Sequence, residues 1–316
     1  MKKKRRKFKS MKKGLKYWIS FLVMVLISGF MSYNNIENLN WRTVFKNIGI
    51  SDYVPKEIDG NNKYEMSVHF LNVGKADCAY IKCGEYNMLI DAADREPTNV
   101  VVEYLKRQGV SKLDLVVVSH PHRDHIGQMA EVIREFKVDK FIQPQVPNEI
   151  IPVSTSYEKM LKALKEKNVK VESTKGRKNL NLGDMAIEFF GPISNDTNIN
   201  NNSVVLKIKY SDISFLFTGD AEKLEENEIL EKGYDLKSTV LKVGHHGSRT
   251  SSGENFLANV LPQYAVVSVA PDRNNLPKQD VINRISKYCK NIYRTDLNGT
   301  IVMLTDGKNL KVTTEK

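Results

Sequence analysis

The sequence predicts an α+β protein in which two mixed β-sheets pack together with helices on the outside, preceded by one N-terminal membrane helix. Three observations support this prediction. The chain has 316 residues, of which 41% are hydrophobic, and this is enough for a sizeable core. From residue 64 onward, strand-forming apolar runs and helical patterns alternate in two successive halves. Before that, an uncharged apolar run at residues 17–31 follows a dense block of basic residues.

The excess of positive charge is confined to the N-terminus. The chain carries 48 Lys and Arg against 37 Asp and Glu, a net charge of +11, but ten of the basic residues lie within residues 1–16, which contain no acidic residue. The other residues carry 38 basic and 37 acidic side chains, a net charge of +1. This balance excludes a protein whose whole surface is built to coat nucleic acid.

The N-terminal pattern predicts a membrane segment. We expect residues 1–16 to be a basic cytoplasmic tail and residues 17–36 to be a membrane anchor or signal segment, because the apolar run approaches the ~20 residues that a spanning helix needs. An uncleaved anchor is favoured over a cleaved signal peptide, since no Ala-rich cleavage pattern surrounds Ser28 and Gly29.

The rest of the chain is then a linker at residues 37–63 and one domain at residues 64–316. The positive-inside rule places that domain on the extracellular side of the cell membrane, attached by a single-pass anchor. The alternative is a domain that is secreted after signal cleavage.

Hydrophobic periodicity predicts the elements of this domain. In the first half it predicts strands at residues 67–73, 79–82, 86–90 and 115–119, and helices at residues 98–108, 129–136 and 157–167. In the second half it predicts strands at residues 185–190, 204–210, 213–218, 239–243, 264–269, 291–293, 300–305 and 310–313, and helices at residues 221–231, 254–259 and 281–288.

Five of the six histidines lie in two short motifs, each directly after a predicted strand. The first motif, residues 119–125, reads SHPHRDH. In an extended segment His120 and His122 project to the same side, while Asp124 and His125 begin the next element and face a second position. Imidazole and carboxylate groups are natural ligands of zinc. We therefore expect one loop to supply ligands to two adjacent divalent metal ions.

The second motif, residues 241–248, reads LKVGHHGS. Because neighbouring side chains of an extended segment point in opposite directions, we expect only one of the two histidines to bind metal. We favour His246 as the ligand, and we expect His245 to contact the substrate as an acid or to support the site from behind the ligands. Asp220, at the end of another predicted strand, is expected to bridge two metal ions; the alternative is an N-cap of the following helix.

The HPHRDH, TGD and VGHHGS segments, in this order and each after a strand, resemble the metallo-β-lactamase fold. More narrowly, they resemble the metallo-β-lactamase-like domain of ComEC-type DNA-uptake competence proteins. Residues 68–77 (VHFLNVGKAD) are similar to the opening motif of that domain, which usually reads DVGQGD. The resemblance covers about residues 64–313. It implies an αβ/βα sandwich that holds two divalent metal ions, zinc or manganese, in a cleft at one edge of the sheets.

The resemblance also implies which residues hold the metal ions. Two histidines hold the first ion, two histidines and a carboxylate hold the second, and one carboxylate bridges them: His120 and His122; His125, His246 and Asp124; and Asp220. Asp77, in the opening turn, orients these ligands from behind or is only a turn residue.

Two departures from the family pattern affect the expected site. Many members have a further histidine at the first metal position, but this chain has no histidine between His125 and His245. Asn202 or Ser203, as a weak ligand, or a water molecule is expected to complete the coordination, and operation with one metal ion is an alternative. The opening motif has Asn72 where the subgroup usually has Asp, so we expect a different approach of the substrate.

These features together predict a membrane-anchored, exported, metal-dependent hydrolase that acts on a phosphodiester, DNA above all. Asp124 or Asp220 is expected to align the attacking hydroxide, and His245 to protonate the leaving oxygen. The alternatives are a hydrolase of phosphocholine, lipid headgroups, lactams or esters, and a metal-stabilised module without catalytic activity. Membrane contact is expected through residues 17–36, and the sequence identifies no protein partner.

Overall fold

The structure is a computed structural model that describes residues 64–95, 99–271 and 275–316. Its strands are β1 (Met66–Phe70), β2 (Ala79–Cys83), β3 (Tyr86–Ile90), β4 (Lys112–Leu113), β5 (Leu115–Val117), β6 (Lys137–Val138), β7 (Phe141–Pro144), β8 (Val171–Thr174), β9 (Lys178–Leu182), β10 (Met185–Phe189), β11 (Leu206–Tyr210), β12 (Ile213–Phe217), β13 (Val240–Lys242), β14 (Tyr264–Val267), β15 (Asn291–Arg294), β16 (Ile301–Thr305) and β17 (Leu310–Thr314). Its α-helices are α1 (Val100–Arg107), α2 (Arg123–Ile126), α3 (Met129–Glu135), α4 (Thr155–Glu166), α5 (Lys223–Glu231), α6 (Glu254–Val260), α7 (Gln279–Ser286) and α8 (Thr295–Asn298).

Two large mixed sheets form the framework. The first has eight strands in the order β17-β16-β1-β2-β3-β5-β7-β8, and the second has seven in the order β15-β14-β13-β12-β11-β10-β9. In each sheet the pairing is antiparallel on one side and parallel on the other, and the change occurs at β3 in the first sheet and at β12 in the second. Strands β4 and β6 form a separate small parallel pair. The α+β architecture of two mixed sheets is therefore confirmed.

The core is divided into layers by the alternation of side chains along each strand. Met66, Val68 and Phe70 of β1 face an apolar cluster between the sheets, which also contains Phe215 and Phe217 of β12. The residues between these positions point to the opposite side, where helices cover each sheet. A cluster that includes α1, α3 and α4 packs on the first sheet, and one that includes α5, α6 and α7 packs on the second. This arrangement leaves the ends of the strands as the place for polar chemistry.

Several strands in the middle of the chain were missed by the sequence-based prediction. β7, β8 and β9 extend the two sheets, although β9 reads KNLNL and only its two leucines pack against the core between the sheets. A short strand with Lys and Asn on its exposed positions gives little hydrophobic periodicity, so its partners in the sheet determine its conformation.

The N-terminal predictions lie outside the described residues. This applies to the tail at residues 1–16, the anchor or signal segment at residues 17–36 and the linker at residues 37–63. Among the residues that the structure does describe, no helix is both long enough and apolar enough to cross a bilayer.

Candidate metal centre

The predicted site residues meet at one edge of the two sheets. The turns after β3, β5, β12 and β13 all lie at this edge, because these strands have the same direction within each sheet. The strands at which each sheet changes from antiparallel to parallel pairing, β3 and β12, are among them. Sequence-distant loops therefore deliver their side chains to one place.

The loop after β5 presents its two first histidines side by side. His122 has an extended backbone and precedes α2, whose first turn contains Asp124 and His125. The Nε2 atom of His120 lies 2.9 Å from the Nδ1 atom of His122. His120 is fully buried, and burial together with the charge of His125 holds its pKa well below the usual value. His120 is therefore neutral near pH 7, which is the form that binds metal.

Asp220 lies at the centre of the histidines. Its Oδ1 atom is 3.3 Å from Nε2 of His125 and 3.9 Å from Nε2 of His246. Its Oδ2 atom is 3.8 Å from Nε2 of His120 and 3.7 Å from Nε2 of His245. Each oxygen of this one carboxylate therefore faces a different pair of imidazoles. The helix α5 begins only at Lys223, after Glu222 at the N-cap position, so the alternative role of Asp220 as an N-cap is wrong.

Backbone geometry places Asp220 in this position. Gly219 has a positive φ of 51°, and a Cβ atom there would lie 2.7 Å from the Cβ atom of Ser119. The turn after β12 can therefore pass close to the loop after β5 only with glycine at this position. The backbone N–H of Asp220 donates to Oγ of Ser203, at 3.2 Å.

The two histidines of the GHHG turn do not follow the extended geometry that the sequence predicted. His245 and His246 both have left-handed backbone angles, with φ of 48° and 52°. His246 is buried, and its Nδ1 atom donates to the carbonyl oxygen of Ser268 at 2.9 Å. Its Nε2 atom lies 3.5 Å from Oδ2 of Asp124. His245 is partly exposed and faces the other oxygen of Asp220. Both imidazoles thus turn towards the same carboxylate.

The residues present fit a metal ion. Nε2 of His125, Nε2 of His246 and Oδ1 of Asp220 are buried atoms without a hydrogen-bond partner, which is costly unless a ligand satisfies them. With Asp124 these residues offer one ligand atom each, all within 4.8 Å of one another. The separations of 3.3–3.9 Å around them match the roughly 3.4 Å expected between tetrahedral ligands of a zinc ion.

The protonation of these groups also fits a cation. Burial lowers the pKa of His125, but the carboxylates of Asp220 and Asp91 more than offset this and raise it well above the usual value. Burial would raise the pKa of Asp220, yet the charges of His125 and His246 hold it well below the usual value. A bound cation would replace the protons on these imidazoles, because ligands bind metal in their deprotonated form.

Asp91 is a functional residue that the sequence analysis missed. It follows β3 directly and accepts hydrogen bonds from the backbone N–H of Ser119 and the Oγ–H of Ser119, both at 2.7 Å, and from Nδ1 of His125 at 2.8 Å. The last contact leaves Nε2 of His125 directed at Asp220 and thereby fixes the orientation of the ring. The signal was available, since an acidic residue after a buried strand was the reason for selecting Asp220.

Asp77 lies behind the histidines in an ion pair. Its Oδ2 atom accepts a 2.7 Å hydrogen bond from Nζ of Lys242, and both side chains are buried. Its Oδ1 atom is 3.7 Å from Nδ1 of His246. Asp77 is thus placed beside a candidate ligand without itself reaching Asp220.

The two weak-ligand candidates have other roles in the structure. The amide of Asn202 donates to the carbonyl oxygens of Asp196 and Asn198, so this side chain holds its own loop together. Ser203 uses its Oγ atom to accept from the backbone of Asp220. Neither contact is to a histidine of the site, and the role of Asn202 or Ser203 as a weak ligand at the first metal position stays a prediction.

Comparison with known proteins identifies the family. The sequence pattern described as the metallo-beta-lactamase superfamily matches residues 71–270, which is more than half of the chain and contains all the site residues above. This chain belongs to the metallo-beta-lactamase superfamily. Among solved structures, it resembles the metallo-beta-lactamase fold protein YhfI from Bacillus subtilis, with a TM-score of 0.51 and 13% identity over 76% of this chain and 99% of that one. It also resembles CmlA, a diiron β-hydroxylase from Streptomyces venezuelae, with a TM-score of 0.53 and 13% identity over 77% of this chain and 54% of that one.

Within the metallo-beta-lactamase superfamily, the chain is similar to competence proteins. It is 32% identical over 204 residues to ComE operon protein 3 of Bacillus subtilis and 28% identical over 260 residues to competence protein ComA of Neisseria gonorrhoeae. These alignments cover 64% and 80% of this chain but only 26% and 34% of the relatives. The resemblance to ComEC-type proteins is therefore confirmed for this domain, and the chain spans about a quarter to a third of the length of these relatives.

Proposed function

We propose that this chain is a metal-dependent phosphodiesterase that acts on DNA or a related phosphodiester. We also propose that it works outside the cell, attached to the membrane by residues 17–36. The proposal goes beyond family membership, because the fold alone is shared with enzymes of other chemistry such as the diiron β-hydroxylase. It depends on how the ligands are arranged around Asp220.

The observation that carries the proposal is that the two oxygens of Asp220 face two separate groups of ligands. Oδ1 faces His125 and His246, and Oδ2 faces His120 and His245. A carboxylate placed in this way would be a ligand to two cations. When bound, two adjacent divalent ions would supply a hydroxide near neutral pH and balance negative charge on the attacking and leaving oxygens of a phosphodiester.

Asp124 is the residue best placed to orient the attacking water. Its side chain is 29% exposed, whereas that of Asp220 is buried, so it faces the open side of the site. Burial would raise the pKa of Asp124, but the neighbouring imidazole of His246 and the charge of His125 hold it below the usual value. Its carboxylate therefore stays ionised near pH 7 and can accept a hydrogen bond from a water molecule.

The substrate class rests on the relatives and on two arginines beside the site. Similarity to proteins named for competence and, at 27% identity, to recombination protein 2 of Haemophilus influenzae supports DNA. Arg123 lies within the first metal-site motif and Arg249 directly follows the second, and both side chains are largely exposed. Each forms a surface ion pair, with Asp94 and with Asp280, of the kind that contributes little stability. Either guanidinium could therefore exchange its carboxylate for a phosphate.

The activity test compares three substrates. The full chain, purified in detergent and supplied with zinc or manganese, is expected to hydrolyse plasmid DNA and bis-(p-nitrophenyl) phosphate but not a chromogenic β-lactam. His122→Ala and Asp220→Ala are each expected to lower kcat/KM at least about 10³-fold, because each removes a metal ligand. Lys287→Ala, on an exposed surface pair with Glu254, is the control and should keep full activity.

Two outcomes would contradict the proposal. Equal hydrolysis by the wild type and both ligand variants would show that the activity does not come from this site. Hydrolysis of the lactam, without hydrolysis of plasmid DNA or bis-(p-nitrophenyl) phosphate, would support a metal-dependent hydrolase but reject a phosphodiester as its substrate. Recovery of the full chain in carbonate-washed membranes tests the location separately.

A further inference from the structure

We infer that His245 is the third histidine of the first metal position, together with His120, His122 and the shared Asp220. The inference rests on the two-metal part of the proposed function and does not depend on the substrate. It replaces the expectation that His245 is a free proton donor for the leaving group. On this assignment the GHHG turn supplies one ligand to each metal ion.

The distances around Asp220 divide the two neighbouring histidines between the two positions. Nε2 of His245 lies 3.7 Å from Oδ2 of Asp220, and Nε2 of His120 lies 3.8 Å from the same oxygen. Nε2 of His246 instead lies 3.9 Å from Oδ1. His120 is in turn adjacent to His122. The imidazoles of His120, His122 and His245 therefore gather on the Oδ2 side.

The ring of His245 is oriented as metal-bound histidines are. Its Nδ1 atom lies 3.1 Å from Oγ1 of Thr250 and 3.4 Å from Oε1 of Glu222, which leaves Nε2 to face Asp220. His246 and His125 are held in the same manner, through Ser268 and Asp91. An outer partner on one nitrogen that fixes the other nitrogen towards the metal is the usual support of such ligands.

The left-handed backbone explains how adjacent residues serve two positions. With φ of 48° and 52°, His245 and His246 turn sharply, and their ring centres lie 6.4 Å apart at an interplanar angle of 69°. In an extended segment the two rings would point to opposite sides of the strand. The turn instead directs both towards Asp220 from different sides, and Gly247 continues it with φ of 78°.

The other residues that were considered for the third ligand of the first metal position have contacts elsewhere. Asn202 holds its own loop and Ser203 accepts from the backbone of Asp220. The sixth histidine, His69, is buried elsewhere, where its ring nitrogens contact Tyr104 and Ser67. His245 thus takes the coordination place that a further histidine fills in many members of the family.

The test measures metal content rather than activity. Zinc per chain is determined by elemental analysis after dialysis, and affinities by titration, for the wild type and for His245→Asn, His122→Asn and His246→Asn. Asn is chosen because it tolerates a left-handed backbone but is too short to replace the imidazole. We expect two zinc ions in the wild type. His245→Asn and His122→Asn should each weaken the same zinc about 100-fold or more, while His246→Asn weakens the other.

A double variant and a milder variant make the test independent of folding. The double variant His122→Asn with His245→Asn should still bind one zinc ion, at the position of His125 and His246, because both substituted residues serve the other position. Thr250→Val keeps the His245 ring and removes one partner of its Nδ1 atom, so it should weaken only the first zinc, by about 10–100-fold.

The proton-donor role predicts a different pattern. If His245→Asn keeps two zinc ions at wild-type affinity and loses rate only with esters of poor leaving groups, our inference is overturned. A wild type that binds a single zinc would overturn it as well. If the zinc results are as expected but no phosphodiester is cleaved, the inference stands and the proposed substrate fails.

Discussion

Asp91 shows how strongly the site depends on a residue that contacts its ligands from behind. Its buried carboxylate accepts three hydrogen bonds, two from Ser119 and one from His125. Burial raises the pKa of Asp91, and the contact with His125 opposes this. Together with backbone hydrogen bonds, such as that from the N–H of Ala92 to the carbonyl oxygen of His125 at 2.7 Å, these contacts attach the loop after β5 to the end of β3. The orientation of the His125 ring depends on this carboxylate.

We therefore expect Asp91→Asn to weaken the metal position of His125 by about 10–100-fold. The amide has nearly the same shape as the carboxylate. Its NH₂ group cannot accept a hydrogen bond, however, so it cannot serve both Ser119 and Nδ1 of His125 as the carboxylate does. Titration with zinc would measure the change. Asp94→Asn is the matched control, since that carboxylate is partly exposed and pairs with Arg123 at the surface. Equal affinities in the two variants would show that Asp91 does not orient His125.

At the scale of elements, a buried ion pair joins the turn before β2 to the end of β13. Nζ of Lys242 donates to Oδ2 of Asp77 at 2.7 Å, and this contact connects the first sheet to the second beneath the histidines. Removing one partner leaves an uncompensated buried charge. We expect Lys242→Met and Asp77→Asn each to lower the free energy of unfolding by about 3–5 kcal/mol.

A double-mutant cycle measures this contact directly. The double variant should be less destabilised than the sum of the single variants, because no lone charge is left. Lys287→Met is the matched control, since Lys287 and Glu254 form an exposed pair that is expected to contribute at most about 1 kcal/mol. A loss in Lys242→Met no larger than in this control would show that the pair between the sheets is not a structural link.

The buried carboxylate of Glu226, in α5, joins this helix to the start of α6. Glu226 accepts from the backbone N–H groups of Ser252 and Gly253, just before α6 begins. Burial raises the pKa of Glu226 to about 7, although these hydrogen bonds oppose it. The folded protein therefore retains this proton up to a higher pH than the unfolded chain does, and its stability falls as the pH rises from about 4.5 to about 7.

The pH dependence can be isolated with Glu226→Gln. Relative to this variant, the wild type should lose on the order of 3 kcal/mol of unfolding free energy between pH 4.5 and pH 7.5, with no further change above that. Urea denaturation in the presence of a chelator, which keeps the metal centre out of the comparison, would measure it. A constant difference across this pH range would mean that Glu226 keeps an ordinary pKa.

The sequence was sufficient to predict strands with a clear apolar pattern and site residues that lie together in one motif. Strand β12, which reads ISFLF, and the SHPHRDH loop were both recognisable in this way. Strand β9 and the left-handed GHHG turn were not, because their conformation depends on neighbours far away in the sequence. Asp91 had the local signal of an acidic residue after a buried strand, but its contact with His125 joins residues 34 positions apart.

At the scale of the whole molecule, the two sheets are built on one plan. Each changes from antiparallel to parallel pairing at its middle strands, and the two changes meet at the same edge. The first sheet contributes His120, His122, Asp124 and His125, and the second contributes Asp220, His245 and His246. The first sheet does not supply the shared carboxylate of Asp220, and the second sheet supplies only two of the five histidines. A metal ion bound at this edge would therefore be held by residues of both sheets.

Metal binding should for this reason stabilise the entire domain. A ligand that binds only the folded state at 100 times its Kd adds about 2.7 kcal/mol, and in a domain of this size 1 kcal/mol corresponds to roughly 2–4 °C in Tm. We expect zinc to raise Tm by about 5–10 °C for each occupied position relative to chelator-treated protein. Calorimetry on the wild type and Asp220→Ala would measure it. The variant should show almost no metal-dependent shift, because it loses the carboxylate that both positions share. A zinc-dependent shift in Asp220→Ala as large as in the wild type would mean that metal binding does not depend on the carboxylate of Asp220.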